Sequence, residues 1–429
     1  GKDDSIRITV PKGAYVAIFE SHSPEDDDDK QYTQVQLAEP TVAVLPFVSI
    51  SEQDDRDYLA DGLTEELTIS LAQVENFRVI ARQSTLRYKG GDVDLRAVGS
   101  ELHVRFVMQG SVQLRGEMLR VTAQLTDTHN GVQVWAKRFD RKFDAEDIFA
   151  MQDEIASDVI SHVADAYGVI PRLLEKETRG KRARDLEVYD AVLRFYHYQT
   201  HPNTKNFKRA RRGLRAAVEK DPDYTLAAAA LSELYSDNYG LHLDPPYNQL
   251  DEAYELARRA VVDDPECQQA HVSMAVAHFH RRERDGCLKS ASCVLELNPN
   301  APYYSAAAGW LIAVAGDWDD GLEILNEAYS RNPFHPSWFN VATYQYHFRN
   351  KDYEKALNSA EQVRMPDLPW GGIVRGSVLV RLGRSDEAHR IVEELVEKFP
   401  EFASDSRAYI SKYVLDDALC EEIHDALVE

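Results

Sequence analysis

The residues that could do chemistry are few, and their spacing argues against most reactions. His278 and His280 lie two apart on a stretch that reads as helix, so they face different directions and make poor co-ligands for a metal. Glu65 and Glu66 are adjacent on another helix and cannot converge as an acid/base pair; they read as the charged start of that helix. Asp61 is read first as the capping residue of the same helix and second as a ligand-binding candidate. The chain has no GxxxxGK[ST], no HExxH, no GxSxG and no GxGxxG after a strand. Its four cysteines, Cys267, Cys287, Cys293 and Cys420, form no CxxC and read as reduced packing residues. The sequence therefore predicts no catalytic residue, no metal and no cofactor, and leaves recognition as the chemistry to explain.

The elements that would position such recognition change character along 429 residues, enough chain for two to four domains. Val42–Phe47 is a continuously apolar run, as in a buried strand, and Leu59, Leu63, Leu67 and Leu71 follow at helical spacing. Phe77–Ala81 returns to strand and Leu95–Leu102 to helix. Three strands then follow closely, Arg105–Gln113, Met118–Asp127 and Val132–Arg138, joined at Arg115-Gly116 and His129-Asn130-Gly131. A long helix from Ile148 to Ala166 closes the series. This order predicts an α/β domain with one mixed sheet. The turns at Asp61-Gly62, Arg82-Gln83-Ser84 and Gly110-Ser111 are expected near strand ends, the usual ligand position in open α/β sheets, which makes Asp61, Arg82, Ser84 and Ser111 the ligand-binding candidates.

Within this region Tyr58–Leu67, Val79–Ser84, Gln109–Val112, Ala123–Asp127, Phe139–Arg141 and Asp147–Ile155 follow in an order that resembles the TolB-like amino-terminal domain. Bacteria fuse that domain to tetratricopeptide (TPR) repeats, behind a winged-helix DNA-binding domain or a class III adenylate cyclase domain. The resemblance covers roughly 125 residues and implies a fold rather than a reaction. Gln109 stands where an acidic residue is expected before Gly-Ser-Val.

Beyond residue 186 the sequence repeats. Prolines end amphipathic helices at 222, 265, 299, 333 and 400, spaced 43, 34, 34 and 67 apart, and a period near 34 is that of TPR units. Twelve residues before each proline stands a small residue, Ala210, Ala253, Cys287, Gly321 and Ala388, with Ala356 in the intervening repeat. Seven later come Ala217, Ala260, Val294, Ala328, Val363 and Leu395. The long first spacing places an insertion around Gly240–Asn248. About six repeats are expected over 186–402, an all-α solenoid, with capping helices over 403–429. Aligning the repeats puts Gln269, Phe279, His280, Tyr303, Trp310, Trp370 and Arg381 on the concave face, where aromatic anchors suit a protein or peptide partner. The basic run Lys205, Lys208, Arg209, Arg211, Arg212, Arg215 reads as a solvated helix face.

The remaining organisation is a hairpin over 1–20, an acidic linker over 21–40 containing Asp26–Asp29, the TolB-like domain over 41–168 and a basic linker over 169–185. The hairpin segment Ile6–Val16 resembles the end of a winged-helix domain found ahead of TolB-like and TPR modules, which implies DNA contact only through a region upstream. With 49 basic and 72 acidic residues the net charge is −23, and this field repels nucleic acid and anionic membranes. No stretch nears the ~18 apolar residues that span a bilayer, so a soluble, cytoplasmic protein is expected. The reading is a non-enzymatic bacterial regulatory protein with a partner-binding solenoid, a candidate homo-oligomer, expected to be the effector part of a transcriptional regulator, and its start at Gly1 rather than Met leads to the expectation of a region upstream. The alternatives are a small-molecule sensor working through the TolB-like domain, and the regulatory region of an adenylate-cyclase-like enzyme.

Overall fold

A computed structural model describes residues 39–50, 57–90, 93–143, 147–179, 187–299, 301–331 and 335–428. The amino-terminal hairpin, nearly all of the acidic linker, and residues 180–186 of the basic linker lie outside the described residues.

The apolar run near residue 42 forms β1 (Thr41–Val44), buried on both faces, which is why it lacks the alternation of a half-exposed strand. A two-residue strand β2 (Val48–Ser49) follows, then helix α1 (Asp57–Ala72), β3 (Arg78–Val79), a single helical turn α2 (Arg82–Thr85) and α3 (Leu95–Leu102). The three later strands are β4 (Phe106–Arg115), β5 (Met118–Asp127) and β6 (Val132–Lys142). The sheet order is β3-β1-β4-β5-β6, with β2 also on β4. β1 runs parallel to β3 and β4, while β4, β5 and β6 form an antiparallel meander, so the sheet is mixed as expected. α1 and α4 (Ile148–Val163) cover one face through Leu63, Leu67, Ile155 and Val159, and Val98 of α3 covers the other. Gly62 is tied to this packing: a Cβ there would reach 2.5 Å from the Gln152 side chain on α4.

Residues 169–178, inside the segment expected as linker, form helix α5 (Val169–Thr178). Ile170 is fully buried with the sheet core, and Arg105 beside β4 binds Asp127 at 3.1 Å and Glu177 of α5 at 2.5 Å.

The rest is helical. Consecutive helices pack in pairs: α6 (Val188–Thr200) with α7 (Thr204–Lys220), α8 (Thr225–Leu241) with α9 (Leu250–Asp263), and α10 (Gln268–His280) with α11 (Arg284–Leu297). Next come α12 (Pro302–Val314) with α13 (Trp318–Arg331), α14 (Asn340–Arg349) with α15 (Tyr353–Gln362), and α16 (Trp370–Arg381) with α17 (Ser385–Lys398). The small residues Ala210, Ala253, Cys287, Gly321, Ala356 and Ala388 all fall on the second helix of a pair and all are buried. The inserted segment is a loop between α8 and α9, held by Asn238, whose side-chain amide donates to the carbonyls of Asp244 and Pro246 at 2.8 Å each. Lys208 and Arg211 both pair with Asp244 in this loop, and Arg209 donates to the Thr178 carbonyl, so part of the basic helix face is used internally.

Leu37–Glu429 is one compact unit. The sheet region meets the helices through Asp165, which accepts from the Tyr303 backbone N–H at 3.1 Å, and Asn76, which accepts from the Tyr224 hydroxyl at 2.9 Å.

Candidate functional site: an aromatic cavity closed by the C-terminal segment

The structure distributes the four ligand candidates of the sheet region over three elements, α1, α2 and β4. Asp61 lies within α1, which starts at Asp57, so it is not a cap; it pairs with Lys89 at 2.9 Å. Ser111 is in the middle of β4, bonded into the ladder opposite Val48 and Thr122, rather than at a turn. Gly110 beside it admits the Phe47 ring, so the Gly-Ser pair serves packing. Arg82 and Ser84 sit on α2 at the end of β3, and β1 separates that strand from β4.

The first helices of successive pairs instead converge on a cavity of about 70 Å³. Helical spacing delivers the lining. Glu233, Asp237 and Leu241 are four apart on α8, Val272, Val276 and His280 four apart on α10, and Trp310 and Leu311 project from α12. Tyr198 and Gln199 of α6, Trp338, and Trp370 of α16 complete the wall. Phe279 and Trp310 meet edge to face with centroids 5.5 Å apart, and Trp310 meets Trp338 at 5.6 Å.

The polar side of this cavity is acidic. Glu233 is buried and accepts from the side-chain amides of Gln199 and Gln269, the latter at 2.6 Å. Asp237 is half-buried and lines the cavity one turn away. Burial raises the pKa of both carboxyls, and Asp237 adds repulsion at Glu233. Neither carboxyl has a salt bridge among the described residues. His280 is no counter-charge: burial first, then Lys412, pushes its imidazole down to about 3, so it is neutral at pH 7. Among the described residues, the Trp310 indole N–H and the His280 Nδ1 are buried without a hydrogen-bond partner.

The carboxy-terminal segment closes the cavity. It contains α18 (Pro400–Ser404), α19 (Ser406–Ile410) and α20 (Asp417–Val428), and α20 packs on α16. Between α19 and α20 the chain reaches back across the first helices. Lys412 Nζ donates to the Tyr239 carbonyl at 2.8 Å, sits 4.7 Å over the Tyr239 ring and also meets His242. Arg282 donates to the Ser411 carbonyl at 3.2 Å and Gln345 to the Tyr413 carbonyl at 3.3 Å. Tyr413 then enters the aromatic cluster, with ring centroids 5.0 Å from His280, 5.6 Å from Trp370 and 6.4 Å from both Phe279 and Trp310. Gly240 leaves room for it, since a Cβ there would lie 2.5 Å from the Tyr413 hydroxyl.

This arrangement corrects the expected open aromatic surface. Phe279, His280, Trp310 and Trp370 do converge, but they are buried under Tyr413 and against one another. Tyr303 is at the junction with the sheet region, packed on Tyr167 at 4.9 Å. Gln269 is fully buried and serves Glu233, and Arg381 donates to the Glu422 carbonyl of α20 at 3.2 Å. Sequence reasoning missed Glu233, Asp237 and Tyr413. Two acidic residues four apart in the apolar stretch that begins Leu226-Ala227-Ala228-Ala229-Ala230 were the available signal for the first two. Nothing local marks Tyr413, because its aromatic neighbours Trp370, Trp310, Phe279 and His280 lie 43 to 134 residues away in sequence.

Residues 38–158 match the family model described as the second domain of HilA/YgeH-like transcriptional regulators. Over 250 residues the chain is 36% identical to a protein of Rhizobium meliloti (strain 1021) named "Putative adenylate cyclase 3", covering 58% of this chain and 42% of that protein. The chain thus spans less than half the length of that relative. Among solved structures, lipoprotein GNA1162 from Neisseria meningitidis is 14% identical, covering 29% of this chain and 98% of the other with a TM-score of 0.23. TolB from Acinetobacter baumannii is also 14% identical, covering 28% and 27% of the two chains with a TM-score of 0.20. Structural likenesses this low carry no argument about function. No helix among the described residues is long and apolar enough to cross a membrane.

Proposed function

We propose that this chain is a non-enzymatic regulatory protein in which a TolB-like sheet domain is coupled to a TPR solenoid that recognises a protein partner, as the effector part of a transcriptional regulator. The observation that carries this reading is the convergence of the first helices of successive pairs on one aromatic-lined surface. The 34-residue spacing and the buried small residues on each second helix support the TPR assignment. The match of residues 38–158 to a domain of transcriptional regulators supports the regulatory role.

Because the Ser411–Tyr413 segment occupies that surface, a partner must compete with it. The test uses residues 1–429 as bait in lysate of the source bacterium, in wild-type form and as Tyr413→Ala and Trp310→Ala variants. A partner held more strongly by Tyr413→Ala and lost from Trp310→Ala supports the reading. Equal retention by all three baits refutes it.

The named relative favours a second reading, the regulatory region of an adenylate-cyclase-like enzyme whose catalytic part lies elsewhere. A 250-residue match exceeds the 121 residues of the sheet-region match, so it extends beyond that region. Assaying cyclase activity of the longest natural chain that contains residues 1–429 separates the two.

A further inference from the structure

We propose that the cavity between α6, α8, α10 and α12 binds a small organic cation, an alkyl ammonium or guanidinium group, with Asp237 as its counter-charge and aromatic rings as its walls. This goes beyond partner recognition, because the cavity is complete within one chain. Failure to bind an amine would leave the partner reading standing.

The argument begins with charge. Glu233 and Asp237 sit one helical turn apart beside a cavity that no charged Lys or Arg side chain lines among the described residues. Two carboxylates in such surroundings repel, and taking either out of water costs free energy unless a proton or a cation joins it. His280, the ring nitrogen base on the wall, is neutral and supplies no counter-charge, so burial favours protons on the two carboxyls until a cation takes their place. Glu233 is already engaged by two side-chain amides, whereas Asp237 has the Tyr198 hydroxyl beside it and keeps part of its surface open, so Asp237 is the group placed to meet an incoming cation.

The walls have matching chemistry. Aromatic faces attract a desolvated cation through their quadrupoles, and Tyr198, Phe279, Trp310, Trp370 and Tyr413 ring this cavity. The same helices already use that interaction at the rim, where Lys412 lies 4.7 Å over the Tyr239 ring. An unpartnered indole N–H on Trp310 leaves one polar contact for a ligand acceptor atom or a water. The size is restrictive. At about 30 Å³ per water, 70 Å³ is the room of roughly two waters, which suits a compact cationic head. A free amine and the side chain of a lysine or arginine on a partner peptide share this chemistry.

Three tryptophans, Trp310, Trp338 and Trp370, line the cavity and provide an optical readout. Residues 1–429 are titrated with n-butylammonium, with agmatine, with 1-butanol, the neutral isostere of n-butylammonium, and with an N-acetyl-lysine-amide peptide, following tryptophan emission and calorimetric heat. Saturable binding of a cationic probe, at least about tenfold tighter than the alcohol and weakened about tenfold or more by Asp237→Asn, supports the site. If only the lysine peptide saturates, the cation belongs to a partner. If the free amines saturate, it is a small molecule. No saturation by any cationic probe, equal binding of the alcohol, or an Asp237→Asn variant that binds as wild type would overturn the proposal. Circular dichroism checks that this variant is folded, and Glu233→Gln, which keeps an amide-compatible shape, provides a second carboxylate removal if it is not.

Discussion

Replacing Tyr413 by alanine should release the segment that covers the cavity without unfolding the protein. The Tyr413 ring meets His280, Trp370, Phe279 and Trp310 at 5.0 to 6.4 Å, and aromatic pairs contribute about 0.5 to 1.5 kcal/mol each beyond area burial. Four such contacts are not additive and the ring is only half-buried, so we take about 2 to 3 kcal/mol in total. That corresponds to a roughly thirty- to 150-fold larger open population of the segment. Native-state hydrogen exchange reads this directly. The amides of Ser411, Tyr413 and Val414, which donate to Arg407, Ile410 and Ile410, should lose protection by that factor. Amides of β1 and β4 should keep theirs. A change below about threefold at Ser411–Val414, or equal loss of protection in the sheet, would show that Tyr413 does not hold the segment down.

Three further outcomes follow from the packing and the charges. Glu75 lies at the junction near the Tyr304 hydroxyl, and burial pushes its carboxyl up to about 7 from an ordinary 4.5. The folded protein then binds more protons than the unfolded chain between pH 4.5 and 7, so this group makes stability fall as pH rises through that window. Glu75→Gln should flatten that slope in urea unfolding, and a slope that steepens or reverses would contradict the assignment. Gly321 on α13 has no room for a Cβ, which would overlap the Ala313 backbone and the Gly309 carbonyl on α12. Gly321→Ala should cost about 1 to 3 kcal/mol and lower the melting temperature, whereas an unchanged melting temperature would show that the two helices can separate freely. Arg105 joins β4 to α5 through Asp127 and Glu177 at 18% side-chain exposure, and Arg105→Met should make the α5 segment more susceptible to proteolysis while the α12–α13 pair stays protected.

Much of the local architecture follows from the sequence alone because it depends on short-range patterns. The continuous apolar run at Val42–Phe47 and the glycine turns of the meander specify the mixed sheet, since strand period and turn chemistry act over a few residues. The 34-residue spacing of small residues specifies the helix pairs, because only small side chains let two helices approach at those points. The cap and turn readings failed where a polar or glycine residue served packing instead: Gly62 admits Gln152, and Gly110 admits Phe47. Tertiary structure alone decided the state of the aromatic cluster. Whether Phe279, Trp310 and Trp370 face water depends on Tyr413, and that contact is held by Arg282 and Gln345 reaching 129 and 68 residues along the chain to Ser411 and Tyr413. The acidic cavity is likewise assembled from different helices, so Glu233 and Asp237 acquire their shared, buried surroundings only when the six helix pairs close around them. Local periodicity encodes which face of a helix is apolar; it does not encode what finally covers that face.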